Sequence, residues 1–225
     1  MQEIPTATRQ ETIDALLDDA RRESVPIRRI FVQQGTQREP RAGLLADFVQ
    51  AGSDRTLELY LLVHAVAARK PFDVRRDSRV WARMVGLDDS PSSRSAVSKS
   101  WRWLQERQLV SVERVGRLAS VTILREDGKG RPYRHPGQKP RSGYFQLPFT
   151  YWRDGWHERL TVPGKAMLLI ALSLQDDFPL PYSKAPSWYG IAPSTAERGL
   201  RELRRLEPKP SIRQATRPRW SCRNR

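Results

Sequence analysis

The sequence predicts a mainly α fold with small β-hairpins, built as two similar units. Three observations carry that expectation. Residues 56–68 and 164–174 are apolar almost all round, as helices buried in small cores must be. Each is followed by a short segment ending at a glycine (Gly86, Gly190) and then by an amphipathic stretch with cations on one side. After the first set, two β-branched runs meet at Gly116-Arg117, the pattern of a tight hairpin.

Taken in order, residues 8–22 carry Ile13, Leu16, Leu17 and Ala20 at helical spacing, which predicts an amphipathic helix suited to packing or to self-association. Residues 27–33, with Ile30, Phe31 and Val32, suit a short strand or extended arm. The apolar helix at 56–68 contains His64, for which a packed core role is expected because no second ligand or proton partner accompanies it. Ser78 is the expected cap of a helix whose inner face is Val80, Trp81, Met84 and Val85, and Gly86 ends it. Asp88-Asp89-Ser90-Pro91-Ser92 is rich in cap formers and opens a longer helix through about residue 107. In that helix Val97, Trp101 and Leu104 fall at i, i+4 and i+7 and face inward, while Arg94, Ser95, Ser98, Lys99 and Arg102 fall together on the opposite arc without an acid among them. Small serines between long cations let a backbone approach a groove while the cations reach its edges and phosphates. The hairpin that follows, 109–115 and 118–125, carries Arg114 and Arg117 at its tip.

Residues 129–143 are basic and rich in Gly and Pro, and read as a linker holding the solvent-exposed His135. The aromatic run at 144–157 has two readings: Phe145, Leu147, Phe149 and Trp152 cover a core, or the rings offer a stacking platform for unpaired bases. In the second unit, Ser194 and Glu197 have capping-box spacing at the start of a helix through Leu206. Its inner face is Ala196, Leu200 and Leu203, and Arg198, Arg201, Arg204 and Arg205 form the outer arc, so residues 194–203 align with 95–104. Residues 207–225 hold six basic residues, one acid and three prolines, and are expected to be a disordered basic tail or the remnant of a second hairpin.

The formal net charge is +15, and the balances of residues 1–42, 43–130 and 131–225 are 0, +4 and +11. An excess gathered toward one end points to a polyanionic partner. Cys222 is the single cysteine, which excludes an internal disulfide or a cysteine-based zinc site. No apolar run approaches the roughly 20 residues that span a bilayer, and residues 1–8 lack the features of a signal peptide, so a cytoplasmic protein without membrane contact is expected.

Helix, helix, turn, helix, hairpin is the order of a winged helix, and SSRSAVSKSWRWLQERQLV at residues 92–110 resembles the recognition helix and first wing strand of winged-helix DNA-binding proteins. The resemblance covers about residues 55–126 and implies two winged helix-turn-helix units, the second without a complete wing. It divides the chain into an N-terminal helix and arm (1–42), a first winged helix (43–128), the basic linker (129–143), a second winged-helix-like unit (144–206) and the tail (207–225). The partner it implies is double-stranded DNA, contacted through Arg94, Ser95, Ser98, Lys99, Arg102, Arg114 and Arg117 in the first unit and Arg198, Arg201 and Arg205 in the second. The N-terminal region offers either a homodimer contact or packing onto the first unit. Tandem winged helices resemble plasmid and phage replication initiators, while single ones are commoner in bacterial transcription regulators. The expected function is sequence-specific DNA binding by a transcriptional regulator, with a replication initiator of a plasmid or other mobile element as the alternative and an RNA-binding or architectural module as a third.

Catalysis is not expected. His64, His135 and His157 are scattered singly, whereas relaxase chemistry needs paired histidines on a metal. Gly128-Lys129-Gly130 lacks the length and the Ser/Thr of a phosphate-binding loop. Asp88-Asp89 and Asp176-Asp177 sit in turns with no third acid at metal spacing, so neither a metal nor a cofactor is called for.

Overall fold

The computed structural model describes residues 7–36, 38–116, 118–137, 143–174 and 184–206. Along the chain run α1 (Arg9–Asp19), β1 (Ser24–Arg28), a 3-10 turn (Arg29–Phe31), β2 (Gln33–Gly35), β3 (Pro40–Ala42), α2 (Leu45–Gln50), α3 (Asp54–Val66), β4 (Asp73–Arg76), α4 (Ser78–Met84) and α5 (Pro91–Glu106). The hairpin strands β5 (Val110–Val115) and β6 (Leu118–Ile123) follow, then β7 (Tyr144–Pro148), α6 (Thr150–Arg153), α7 (Trp156–Arg159), α8 (Val162–Ser173), α9 (Ala185–Tyr189) and α10 (Pro193–Arg205). Helices and small antiparallel sheets are thus mixed, with helices the larger share. Described residues within Met1–Glu23 and Arg55–Tyr133 form unit 1, and those within Ser24–Asp54 and Arg134–Arg225 form unit 2.

Unit 1 is organised by α3, in which every residue from Thr56 to Ala65 is buried. Its last carbonyls, His64 O and Ala65 O, accept from the Arg22 guanidinium, a cation at the negative end of the helix. Burial pulls the Arg22 pKa below its ordinary value. His64 lies between the rings of Tyr60 and Tyr133, at 4.6 and 5.4 Å, as a core histidine should. α1 starts with a capping box in which Thr8 Oγ1 accepts from Glu11 N and Thr8 N donates to Glu11. Ile13 and Leu17 are buried where α1 packs on α4, and Arg9 Nε donates to Met84 O at 2.9 Å. α1 therefore has the packing role, and its buried apolar residues lend the homodimer expectation no support.

The unit 1 sheet has the order β4, β6, β5. Val74 and Val112 both pair with Val121, and Val110 pairs with Ile123, so one face is apolar and closes the core under α5. Residues 129–133, which the sequence suggests are linker, instead fold back on this unit. Leu124 bridges Pro132, Arg125 N donates to Arg131 O, and Tyr133 is buried beside Phe72.

Unit 2 pairs β1 with β7 in antiparallel register, Val25 opposite Leu147 and Ile27 opposite Phe145, all four buried. The strand thus sits three residues earlier than the expected 27–33, whose middle is the 3-10 turn. The aromatic run covers this core: Phe145, Phe149, Tyr151, Trp152 and Trp156 are buried, so the stacking platform is ruled out for them. α8 is buried along its whole length, including Lys165, whose Nζ lies 2.8 Å from Asp54. It packs against α10 at two glycines: a Cβ on Gly199 would overlap the Pro163 carbonyl oxygen and come within 2.6 Å of Met167 Cγ, and one on Gly164 would meet Glu202 and Leu160. Glu202 of α10 accepts from Thr161 N at 3.0 Å and Thr161 Oγ1 at 2.7 Å, capping α8 from a neighbouring helix.

Two expected caps are corrected. The N-cap of α4 is Asp77, which accepts from Arg79 N at 2.8 Å, and Ser78 is the first helical residue. α10 has no capping box: Pro193, with φ already set for a helix, moves the start upstream to an Ala192 N-cap, and Glu197 pairs with Arg201 instead. The tail, residues 207–225, lies outside the described residues.

Trp101→Ala should destabilise unit 1 by about 3 to 5 kcal/mol, read as a fall in unfolding free energy, because it opens a cavity beside Trp81. For Gly199→Ala the sign is diagnostic. Helix propensity alone would stabilise by about 1 kcal/mol, whereas the overlap with Pro163 should destabilise unit 2 by about 1 to 3 kcal/mol in a denaturant titration.

Candidate nucleic-acid interface

α5 is positioned by its first turn and by its inner face. Ser90 is the N-cap and accepts from Ser93 N, Pro91 takes the first helical position, and Asp88 accepts from the hydroxyls of Ser90 (2.7 Å) and Ser93. These hydrogen bonds, Ser93's foremost, hold the Asp88 carboxyl below its ordinary pKa. Ser93, Val97, Ser100, Trp101 and Leu104 are buried. Trp101 meets Trp81 edge to face at 5.2 Å, and Thr56 Oγ1 donates to Ser100 Oγ at 3.1 Å, which ties α5 to α3.

The opposite side is open. Ser95, Ser98, Lys99 and Arg102 are exposed and share one arc, as helical spacing requires. Ser98 Oγ donates to Arg94 O at 3.0 Å, so the hydroxyl lies back along the helix and presents a lone pair outward. Arg94 differs from its expected neighbours: it is half-buried and reaches Asp89 at 3.8 Å, with Arg79 of α4 on the same carboxylate at 3.2 Å. Such partly exposed pairs are weak and exchange readily with another anion. Glu106, also exposed, sits in the last turn, so the outward arc of Ser95, Ser98, Lys99 and Arg102 stops one turn before the end of the helix. Near that end Arg107 stacks on Trp103, 3.5 Å from the ring centroid.

Beyond α5, Arg114 is exposed on β5, and Arg117 lies outside the described residues. The sequence reading missed the loop after β6. Asp127, its carboxylate fully buried, accepts from Lys129 N at 3.1 Å, lies 3.0 Å from Arg125 Nε and binds Arg131, leaving Lys129 and Arg131 exposed on a fixed turn. The available signal was Asp127-Gly128-Lys129-Gly130, whose two glycines have φ of +69° and +65°.

In unit 2, Arg198, Arg201, Arg204 and Arg205 are exposed on α10, opposite the buried Ala196, Gly199 and Leu200. Arg201 is held by Glu197 at 2.9 Å, one turn away. Each unit thus presents one cation-bearing helix whose apolar side is committed to a core. Among the described residues no group of three or more His, Cys, Asp or Glu could hold a metal ion, and no helix is long and apolar enough to cross a membrane. Comparison with models of known families, with curated proteins and with solved structures finds no match to the chain.

The Asp88 cap gives a pH-dependent expectation. Because its folded pKa is lowered, its stabilisation is complete above the ordinary value of 3.8 and is lost as pH falls through the lower folded value. Asp88→Ala should lower the unfolding midpoint of unit 1 at about pH 6, and the gap to the parent chain should close as the pH is taken toward about 2; a gap that stays constant would assign the cap to Ser90 alone.

Proposed function

We propose that the chain binds double-stranded DNA sequence-specifically and acts as a transcriptional regulator. One observation carries this: the exposed arc of Ser95, Ser98, Lys99 and Arg102 on a helix whose other side is locked into a core. A groove reader needs long donors for base edges and phosphates, small residues between them for close approach, and a rigid mount, and α5 has all three. Further support comes from the order α3, β4, α4, α5, β5, β6 with β6 central in the sheet, which resembles a winged helix-turn-helix. In such a unit α5 enters the major groove and the hairpin bearing Arg114 and Arg117 lies on an adjacent backbone or minor groove. The same reading makes Arg198, Arg201 and Arg205 a second set of contacts, and leaves Arg94 to exchange Asp89 for a phosphate.

Replication initiation at a plasmid or other mobile element is the second reading. It is favoured by α10, because two cation-faced helices on one chain suit a site longer than a single half-site. Duplexes enriched by the chain from a randomised pool separate the two: a palindrome suits a regulator and directly repeated elements suit an initiator.

Lys99→Ala and Arg102→Ala should each weaken binding to the enriched duplex without moving the unfolding midpoint, since both side chains are exposed. A base-reading Arg102 costs about 1 to 3 kcal/mol and relaxes the preference at one position. A phosphate-bound Lys99 weakens all sequences alike and reduces the slope of log affinity against log salt by about 0.9. Parental affinity in the double variant would show that α5 is not the reader.

A further inference from the structure

Residues 125–131 separate their charges by depth. Glu126 and Asp127 are buried, whereas Lys129 and Arg131 are exposed and Arg125 is half-buried. Arg125 N donates to Arg131 O at 2.8 Å and Leu124 bridges Pro132, so the two arginines stand opposite each other on one face of a small hairpin. Both guanidiniums close on the same oxygen of Asp127, Arg125 from 3.0 Å.

A guanidinium carries five N–H donors, and the buried carboxylate meets Nε of Arg125 and one terminal nitrogen of Arg131. The side chains are 39% and 51% exposed, which leaves donors on the solvent side. Two like charges are therefore held next to each other from behind. Arg79 and Arg94 also share a carboxylate, but their Asp89 is half-exposed and can release them to another anion. Asp127 is enclosed, so its pair stays assembled and a second anion adds in front of it.

This turn lies at the C-terminal end of α5. Leu124 N donates to Leu109 O at 2.9 Å, and the Gln108 amide lies over Gly130, 3.4 Å from where a Cβ would stand. The exposed run Lys129, Gly130, Arg131 and Pro132 has no large apolar side chain of the kind that anchors a protein partner. Two guanidinium forks match the oxygens of a phosphate, and a net charge of +15 favours a polyanion over a single small one.

We infer that Arg125, Lys129 and Arg131 form a phosphate-binding site that takes one backbone phosphate of the DNA duplex, beside the groove that α5 enters. The site rests on the DNA-binding reading above and adds to it a contact outside both the helix and the β5–β6 hairpin.

The test is ethylation interference on the duplex enriched by the full chain, with affinity measured over a salt series. For the parent, ethylation should block binding at a phosphate flanking the α5 contacts. In Lys129→Ala/Arg131→Gln that position should cease to interfere while the others persist, and the slope of log affinity against log salt should fall by about 0.9. Because Arg131→Gln removes a partner of a buried carboxylate, Lys129→Glu is the second variant. Its altered side chain is exposed, so the unfolding midpoint should match the parent's while the same phosphate ceases to interfere. Variants that keep the parent's pattern and slope overturn the site. A parent that binds inorganic phosphate in calorimetry, with variants that lose this binding but keep the duplex pattern, makes the ligand a free phosphate and also overturns it. If no duplex is enriched at all, the DNA-binding reading fails and this site with it, a result distinct from a duplex bound without the flanking contact.

Discussion

The edge-to-face contact of Trp81 with Trp101 fixes which way α5 faces, and the character of unit 1 depends on it. A helix turns by about 100° per residue, so rotation by a single position would carry Arg102 toward the core in one sense or Trp101 toward water in the other. Both changes are unfavourable, one by stripping water from a guanidinium and the other by exposing an indole. The Thr56–Ser100 hydrogen bond adds direction to an otherwise non-directional packing, because a buried hydroxyl pair tolerates little sliding. The four polar side chains of the outer arc are held in place from behind.

Unit 2 reaches a similar display by a different route. No indole pair orients α10; instead its backbone approaches α8 so closely that Gly199 lies against the Pro163 carbonyl. Close approach leaves little room for side chains between the helices and shifts the burden of specificity onto polar contacts at the ends, where Glu202 caps α8 through Thr161. The arginines of α10 then fall outward because the inner side is taken up by Ala196, Gly199 and Leu200. One unit uses large interlocking rings and the other a close backbone approach at Gly199, and both commit one side of a helix so firmly that the other is defined.

Period and punctuation were enough to read α3, α5, α8, α10 and the β5–β6 hairpin, because each is specified by residues within a few positions of one another. The inner and outer sides of α5 are legible for the same reason: Val97, Trp101 and Leu104 against Ser95, Ser98, Lys99 and Arg102. What the sequence does not reveal depends on distant partners. β4 becomes a strand by pairing with β6, and β1 by pairing with β7, where Ser24 donates to Gln146 across 122 residues. Arg94 looks equivalent to Lys99 by spacing, and the difference comes from Asp89 in the preceding turn and Arg79 in the helix before it. The loop around Asp127 reads as a linker because Gly and Pro mark tight turns and flexible segments alike; the buried carboxylate that orders it is invisible to composition.

The interleaving of the two units in the sequence bears on how the chain is made. β1 is synthesised early, yet its ladder partner β7 comes only after the whole of unit 1. While the ribosome works through that interval, Val25 and Ile27 sit on a strand whose edge has nothing to pair with, and such edges invite pairing with other chains. Unit 1, by contrast, lacks nothing once residue 133 has emerged. Vectorial synthesis therefore favours a first unit that closes around the excursion of residues 24–54 and a second that waits for a late, long-range contact, the slower kind to form.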